Sequence, residues 1–131
     1  MEEDRSGVAT QDEVRLAVPA TPEFLRLARV TATGLASRLG FTFDEVEDLR
    51  LAIDELCYSL IGSRGRTGTV ELRYVVLDGA LEVEGSGKFD GETPELSLSE
   101  LSERILTALV DEHELSNDGT PRFRLVKRRT G

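Results

Sequence analysis

The sequence predicts an α+β fold: a two-layer sandwich in which a mixed, mostly antiparallel sheet carries three helices on one face. Three observations predict it. Segments with apolar residues at every second position come in pairs around tight-turn signals, Asp78-Gly79 and Asn117-Asp118-Gly119. Three other segments place apolar residues at helical spacing behind capping residues. The resulting order is strand, helix, helix, hairpin, helix, hairpin, which groups strands as antiparallel neighbours and argues against a doubly wound sheet.

Each element has its own signal. Val14, Leu16 and Val18 alternate with Arg15 and Ala17 between Glu13 and Val18, and Pro19 ends that strand. Thr21-Pro22-Glu23 opens the first helix, with Thr21 at the N-cap and Pro22 in its first position. Phe24, Leu27, Ala28, Thr31, Leu35 and Leu39 follow as its apolar stripe, Gly34 reads as a place for close packing, and Gly40 stops it. Thr42 to Glu45 is a capping box for the second helix, whose stripe is Val46, Leu49, Ile53, Leu56, Cys57 and Leu60, ending at Gly62. A glycine-rich loop leads to the strand Thr69 to Leu77, and Ala80 to Glu84 returns as its partner. Ser97 to Glu100 reads as the cap of a third helix with Leu98, Leu101, Ile105, Ala108 and Leu109 on one stripe. From about Glu112 the chain forms two strands, with Phe123, Leu125 and Lys127 on one face of the last.

A length of 131 residues with 39% apolar content suits one core, so residues 13–131 read as a single domain behind a flexible N-terminus of residues 1–12. No apolar run approaches the ~20 residues of a membrane span. The acidic start Met1-Glu2-Glu3-Asp4 lacks the pattern of a secretory signal, so a cytoplasmic location is expected. One cysteine, Cys57, excludes an intrachain disulfide; with one histidine it argues against structural zinc, and its apolar setting reads as core. The net charge is −9, and residues 122–131 hold five basic residues and no acid, so residues 1–121 carry −14. Such a surface disfavours direct contact with nucleic acid and favours a basic partner. The acids Asp44, Glu45, Glu47 and Asp48 read as a solvated helix start that suits the helix dipole. His113 has no nucleophile motif beside it and reads as a surface or capping residue.

Two stretches carry a family resemblance. Residues 43–61, FDEVEDLRLAIDELCYSLI, and Leu27-Ala28-Arg29-Val30-Thr31 resemble the corresponding helices of bacterial anti-sigma factors with serine kinase activity, in the GHKL (histidine kinase-like, Bergerat-type) ATPase group. The resemblance covers roughly residues 13 to 128. It implies ATP or ADP with Mg²⁺ as cofactor, and a helix motif Glu-x-x-x-Asn in which the glutamate is the general base and the asparagine binds the metal. Glu55 matches the glutamate, and Ser59 stands at the asparagine position one turn on. A serine hydroxyl reaches less far toward Mg²⁺ than asparagine does.

The family's Asp-x-Gly-x-Gly motif at a strand end reads adenine through its aspartate. Alternation from Leu81 and Val83 puts Gly85 at the aspartate place, Gly87 at the first glycine and Phe89 at the second. Glu84 could replace the lost carboxylate only through a β-bulge. The lid region, residues 91–103, holds one glycine, a proline and four acids, a poor cradle for a triphosphate. The resemblance further implies a sigma factor and an anti-sigma antagonist as competing partners in a partner switch, a homodimer, and a contact role for Arg29. Taken together, the changed motifs favour a partner-binding regulator over the alternative, an active ATP-dependent kinase of the antagonist. Arg29 also reads as an ordinary helix arginine paired with Glu23 or another helix acid, and Leu51 and Val30 read as extra core in preference to a partner patch.

Overall fold

The computed structural model describes residues 12–91 and 95–130. Its strands are β1 (Asp12–Pro19), β2 (Gly68–Leu77), β3 (Ala80–Phe89), β4 (Glu112–Asn117) and β5 (Pro121–Arg128). Its helices are α1 (Leu25–Arg38), α2 (Phe43–Ile61) and α3 (Glu100–Leu109). The expected flexible tail lies outside the described residues, except that Asp12 is the first residue of β1. Among the described residues no helix is long and apolar enough to cross a membrane.

One sheet holds all five strands in the order β1-β2-β3-β5-β4. All four pairings are antiparallel, which sharpens the mixed sheet expected from sequence. The register aligns Leu16, Leu72, Gly85 and Phe123 across four strands. With Val70, Tyr74, Leu81, Val83 and Leu125, these face the helices and form the core with Leu49, Ile53, Leu56 and Leu60 of α2. Cys57 lies in that core, where burial pushes its thiol up to about 12.

Several helical expectations need correction. Thr21 caps nothing, its hydroxyl is buried without a partner, and Pro22–Phe24 forms a turn of 3₁₀ helix before α1. The face that α1 buries is Leu25, Ala28, Ala32 and Ala36, while Phe24 and Leu27 are exposed. The reason is steric: the alanines let α1 settle close enough for the Tyr74 hydroxyl to reach the Ala28 carbonyl, at 2.9 Å. Gly34 takes no part, for nothing lies within 4 Å of where its Cβ would be.

The third helix starts two residues later than expected. Ser99, not Ser97, is its N-cap and accepts the Ser102 N–H at 3.0 Å. Leu106, outside the expected stripe, is its one fully buried residue. Leu101 is left 68% exposed, and Ile105 is also exposed.

Candidate functional site

The capping box of α2 is intact, with Thr42 and Glu45 satisfying each other's backbone N–H groups. It starts a helix that presents Glu55 and Ser59 one turn apart on the side facing α3. The Glu55 carboxylate accepts the Ser102 hydroxyl at 2.5 Å. Ser102 in turn accepts from the Ser99 hydroxyl at 3.0 Å, so two serines in the first turn of α3 relay onto Glu55. The Ser59 hydroxyl donates back to the Glu55 carbonyl at 2.8 Å, a bond within its own helix. Ser99 and Ser102 were not among the candidate residues; their three-residue spacing at a helix start is the signal that could have found them.

Gly85 and Gly87 lie on the helix side of β3, in phase with Leu81 and Val83 as alternation requires. Their faces are covered by aromatic rings. A Cβ on Gly85 would stand 2.3 Å from the Phe123 ring, and one on Gly87 2.2 Å from the Phe89 ring. The Arg66 guanidinium caps Phe89 at 5.0 Å from the ring centroid. The strand runs through residues 80–89 in unbroken register, so no bulge brings Glu84 around. Glu84 points to the other face of the sheet and pairs with Arg73 at 2.8 Å. Of the expected lid stretch, residues 92–94 lie outside the described residues, while Leu96 and Leu98 pack against the core.

Arg29 pairs with Asp54 of α2 at 3.2 Å, rather than with Glu23. It sits half-buried on the α1–α2 seam. Val30, 56% exposed, and Leu51 lie outside the core, which corrects the expectation of extra core for both.

The acidic start of α2 is more engaged than a solvated run. Asp48 pairs with Lys127 at 3.3 Å, and the same ammonium donates to the Leu109 carbonyl at 2.7 Å, tying the end of α3 to α2. Glu47 pairs with Arg50 at 2.9 Å. Glu45 is buried and accepts the Thr130 N–H and hydroxyl at 2.7 and 2.8 Å. The Thr42 N–H, joined by these two Thr130 donors, holds its carboxyl down at about 2. Arg129 donates to the Leu39 carbonyl at the end of α1, and Arg128 pairs with Glu112, so the basic tail is used internally. His113 bonds to Glu103 of α3 at 2.9 Å and caps no helix end.

A concavity of about 590 Å³ on the open sheet face is ringed by Arg15, Arg73, Arg122 and Arg124, and a shallower one of about 450 Å³ lies beside Phe43 and Arg50. Neither includes Glu55 or Ser59. Among the described residues no three His, Cys, Asp or Glu side chains are grouped to hold a metal ion.

The chain is similar to several curated bacterial proteins. The serine-protein kinase RsbW of Bacillus subtilis is 34% identical over 126 residues, which cover 81% of this chain and 79% of that protein. Its counterpart in Bacillus velezensis is 31% identical over 82% of this chain and 81% of its own length. That of Halalkalibacterium halodurans is 28% identical over 82% and 77%. No family model matches the chain. Among solved structures, a crystal structure of the RsbU and RsbW domains of a Mycobacterium tuberculosis protein superposes with a TM-score of 0.67. That match covers 90% of this chain and 32% of that one at 16% identity, and it shows the fold.

Proposed function

The chain belongs to the family of the RsbW serine-protein kinases, and from that premise we propose that it works by binding rather than by phosphoryl transfer: an anti-sigma-like regulator that captures a sigma factor, an anti-sigma antagonist, or both in a partner switch. The observation that carries the reading is the Ser102–Glu55 bond. It places the first turn of α3 on the one candidate catalytic group that matches the family pattern.

The residues at the motif positions fit Mg²⁺-ATP poorly. Ser59 spends its hydroxyl on its own helix, Gly85 offers no carboxylate to an adenine, and Phe123 and Phe89 fill the space over both glycines. The relatives are kinases by name, and a kinase uses ATP; the ring contacts at Gly85 and Gly87 and the Ser59 bond support the reading that this chain does not. Titration calorimetry with Mg²⁺-ATP to high micromolar concentration tests the point, with no binding heat expected. Transfer of labelled γ-phosphate to a cognate antagonist would sink the reading and establish the kinase alternative, with Glu55→Ala as its control.

Arg29 is the residue we assign to partner contact, supported by its place on the α1–α2 seam between exposed Val30 and Asp54. Charge reversal, Arg29→Glu, removes the pair with Asp54 and sets two acids side by side. We expect at least tenfold weaker capture of the sigma factor or antagonist, read by calorimetry or quantitative pull-down. An unchanged affinity removes Arg29 from the site.

A further inference from the structure

We propose that the seam between α2 and α3 is a second docking surface, fitted to a basic amphipathic helix of a partner protein. Two features of the seam converge on that class of ligand.

The first is uncovered apolar surface. Asp44, Leu51 and Tyr58 recur every seven residues and share the outer ridge of α2. Leu51 is 45% and Tyr58 43% exposed. The Ser102–Glu55 bond and the Lys127 bridge from Asp48 to Leu109 set α3 antiparallel to α2. In that register Ile105 stands level with Leu51, and Leu101 with the turn that carries Tyr58. Glu103 reaches His113 on β4 from one flank of α3, so Leu101 and Ile105 lie on the opposite flank, toward α2. The four side chains therefore border one seam about 10 Å long, the rise of two helical turns. A partner helix covers such a length with anchors at i, i+3 or i+4, and i+7.

The second feature is charge. α2 and α3 together hold eight acids and two arginines, a balance of −6 that Lys127 and Arg29 reduce to −4 by pairing with Asp48 and Asp54, whereas α1 holds three arginines and no acid. Among the described residues Asp44 and Glu55 have no ion pair; Asp44 continues the Leu51 and Tyr58 ridge of α2, and Glu55 lies between α2 and α3 against Ser102. One end of the apolar ridge and the floor of the seam therefore carry unpaired carboxylates. An apolar strip beside unpaired carboxylates selects a helix with an apolar face and lysine or arginine beside it; an acidic helix is repelled, and a neutral one gains nothing from the charge. This surface is separate from Arg29, so the two stand or fall independently.

The test uses the full chain and a synthetic 18-residue helix with leucine on one face and lysine on the other. Amide shifts in a ¹⁵N-labelled sample should centre on residues 51–58 and 100–106. The double variant Leu101→Ser with Ile105→Ser alters only exposed side chains, and circular dichroism checks that its fold is kept. It should bind the peptide at least tenfold more weakly. A peptide of the same charge with serine in place of leucine should lose as much. Equal affinity for the double variant, or shifts centred on α1 or on the open sheet face, overturns the proposal.

Discussion

α1 and α3 flank α2 on the same side of the sheet, and they are held there by opposite means. α1 sinks four apolar residues into the core and is pinned from below by Tyr74. α3 sinks one, Leu106, with Leu109 half-buried against the core, and adds polar contacts: Ser102 to Glu55 at its start and Lys127 to Leu109 at its end. Burial of one leucine is worth about 2 kcal/mol, and a typical hydrogen bond about 1 kcal/mol net. The difference teaches that α1 belongs to the cooperative core, whereas α3 can open at a fraction of the global stability. The helix that covers Glu55 is the weakly held one.

The sharpest way to break this comparison is to empty the same volume in the cooperative core that α1 joins, at α2, and under α3. Leu56 and Leu106 are each fully buried. Leu56→Ala should destabilise the whole domain by about 2–5 kcal/mol, seen as a lower denaturation midpoint at unchanged slope. Leu106→Ala should lower the midpoint far less and abolish amide protection in residues 102–109, because local opening of α3 comes to precede global unfolding. Equal loss of global stability in the two variants would place α3 inside the core.

The same contrast explains what could be read without a structure. The stripe of α2 was legible because its large apolar residues meet a sheet whose alternation was equally plain. The buried face of α1 was not: periodicity marks large residues, and here three alanines do the packing while Leu27 stays out. For α3 the apolar stripe was partly real: Leu98 and Leu109 pack against the core, but Leu101 and Ile105 face out, and Leu106, outside the stripe, is the buried residue. Glu55, Ser59, Gly85 and Gly87 fell where the pattern put them. Their neighbours Ser102, Phe89 and Phe123 come from sequence-distant segments, and no spacing rule connects those. Glu45 was misread for a related cause, since an acid in the first turn of a helix is usually solvated and the partner that buries it is Thr130.

Glu45 gives the next largest effect, on the α1–α2 side of the comparison. Its carboxyl titrates near 2 in the fold, against an ordinary value of 4.5. A depressed folded value means that the stabilisation is complete above pH 4.5 and is lost as pH falls from there toward 2. Native protein should therefore show a falling thermal midpoint across that window. Glu45→Gln should start lower at pH 7, by about 1–3 kcal/mol, the worth of hydrogen bonds to a charged group. Its midpoint should also change less between pH 4.5 and 2. Parallel pH curves for the two proteins would show that Glu45 is not the group responsible.

Ser102→Ala is the smallest perturbation and the most direct probe of α3. The substitution improves intrinsic helix propensity slightly, since alanine is the better helix former. It removes the donor to Glu55 and the acceptor for Ser99, at a net cost of about 1 kcal/mol in a half-buried setting that water can enter. One kilocalorie is about a fivefold change in an opening equilibrium, too little to shift the global midpoint by more than a few degrees. Native-state amide exchange resolves it: residues 103–106 should exchange about fivefold faster, while residues 28–36 of α1 keep their rates. Ser102→Thr restores the hydroxyl and should restore the protection. If α1 and α3 speed up together, the two helices open as one unit, and the hydroxyl–carboxylate contact is not what holds α3 over Glu55.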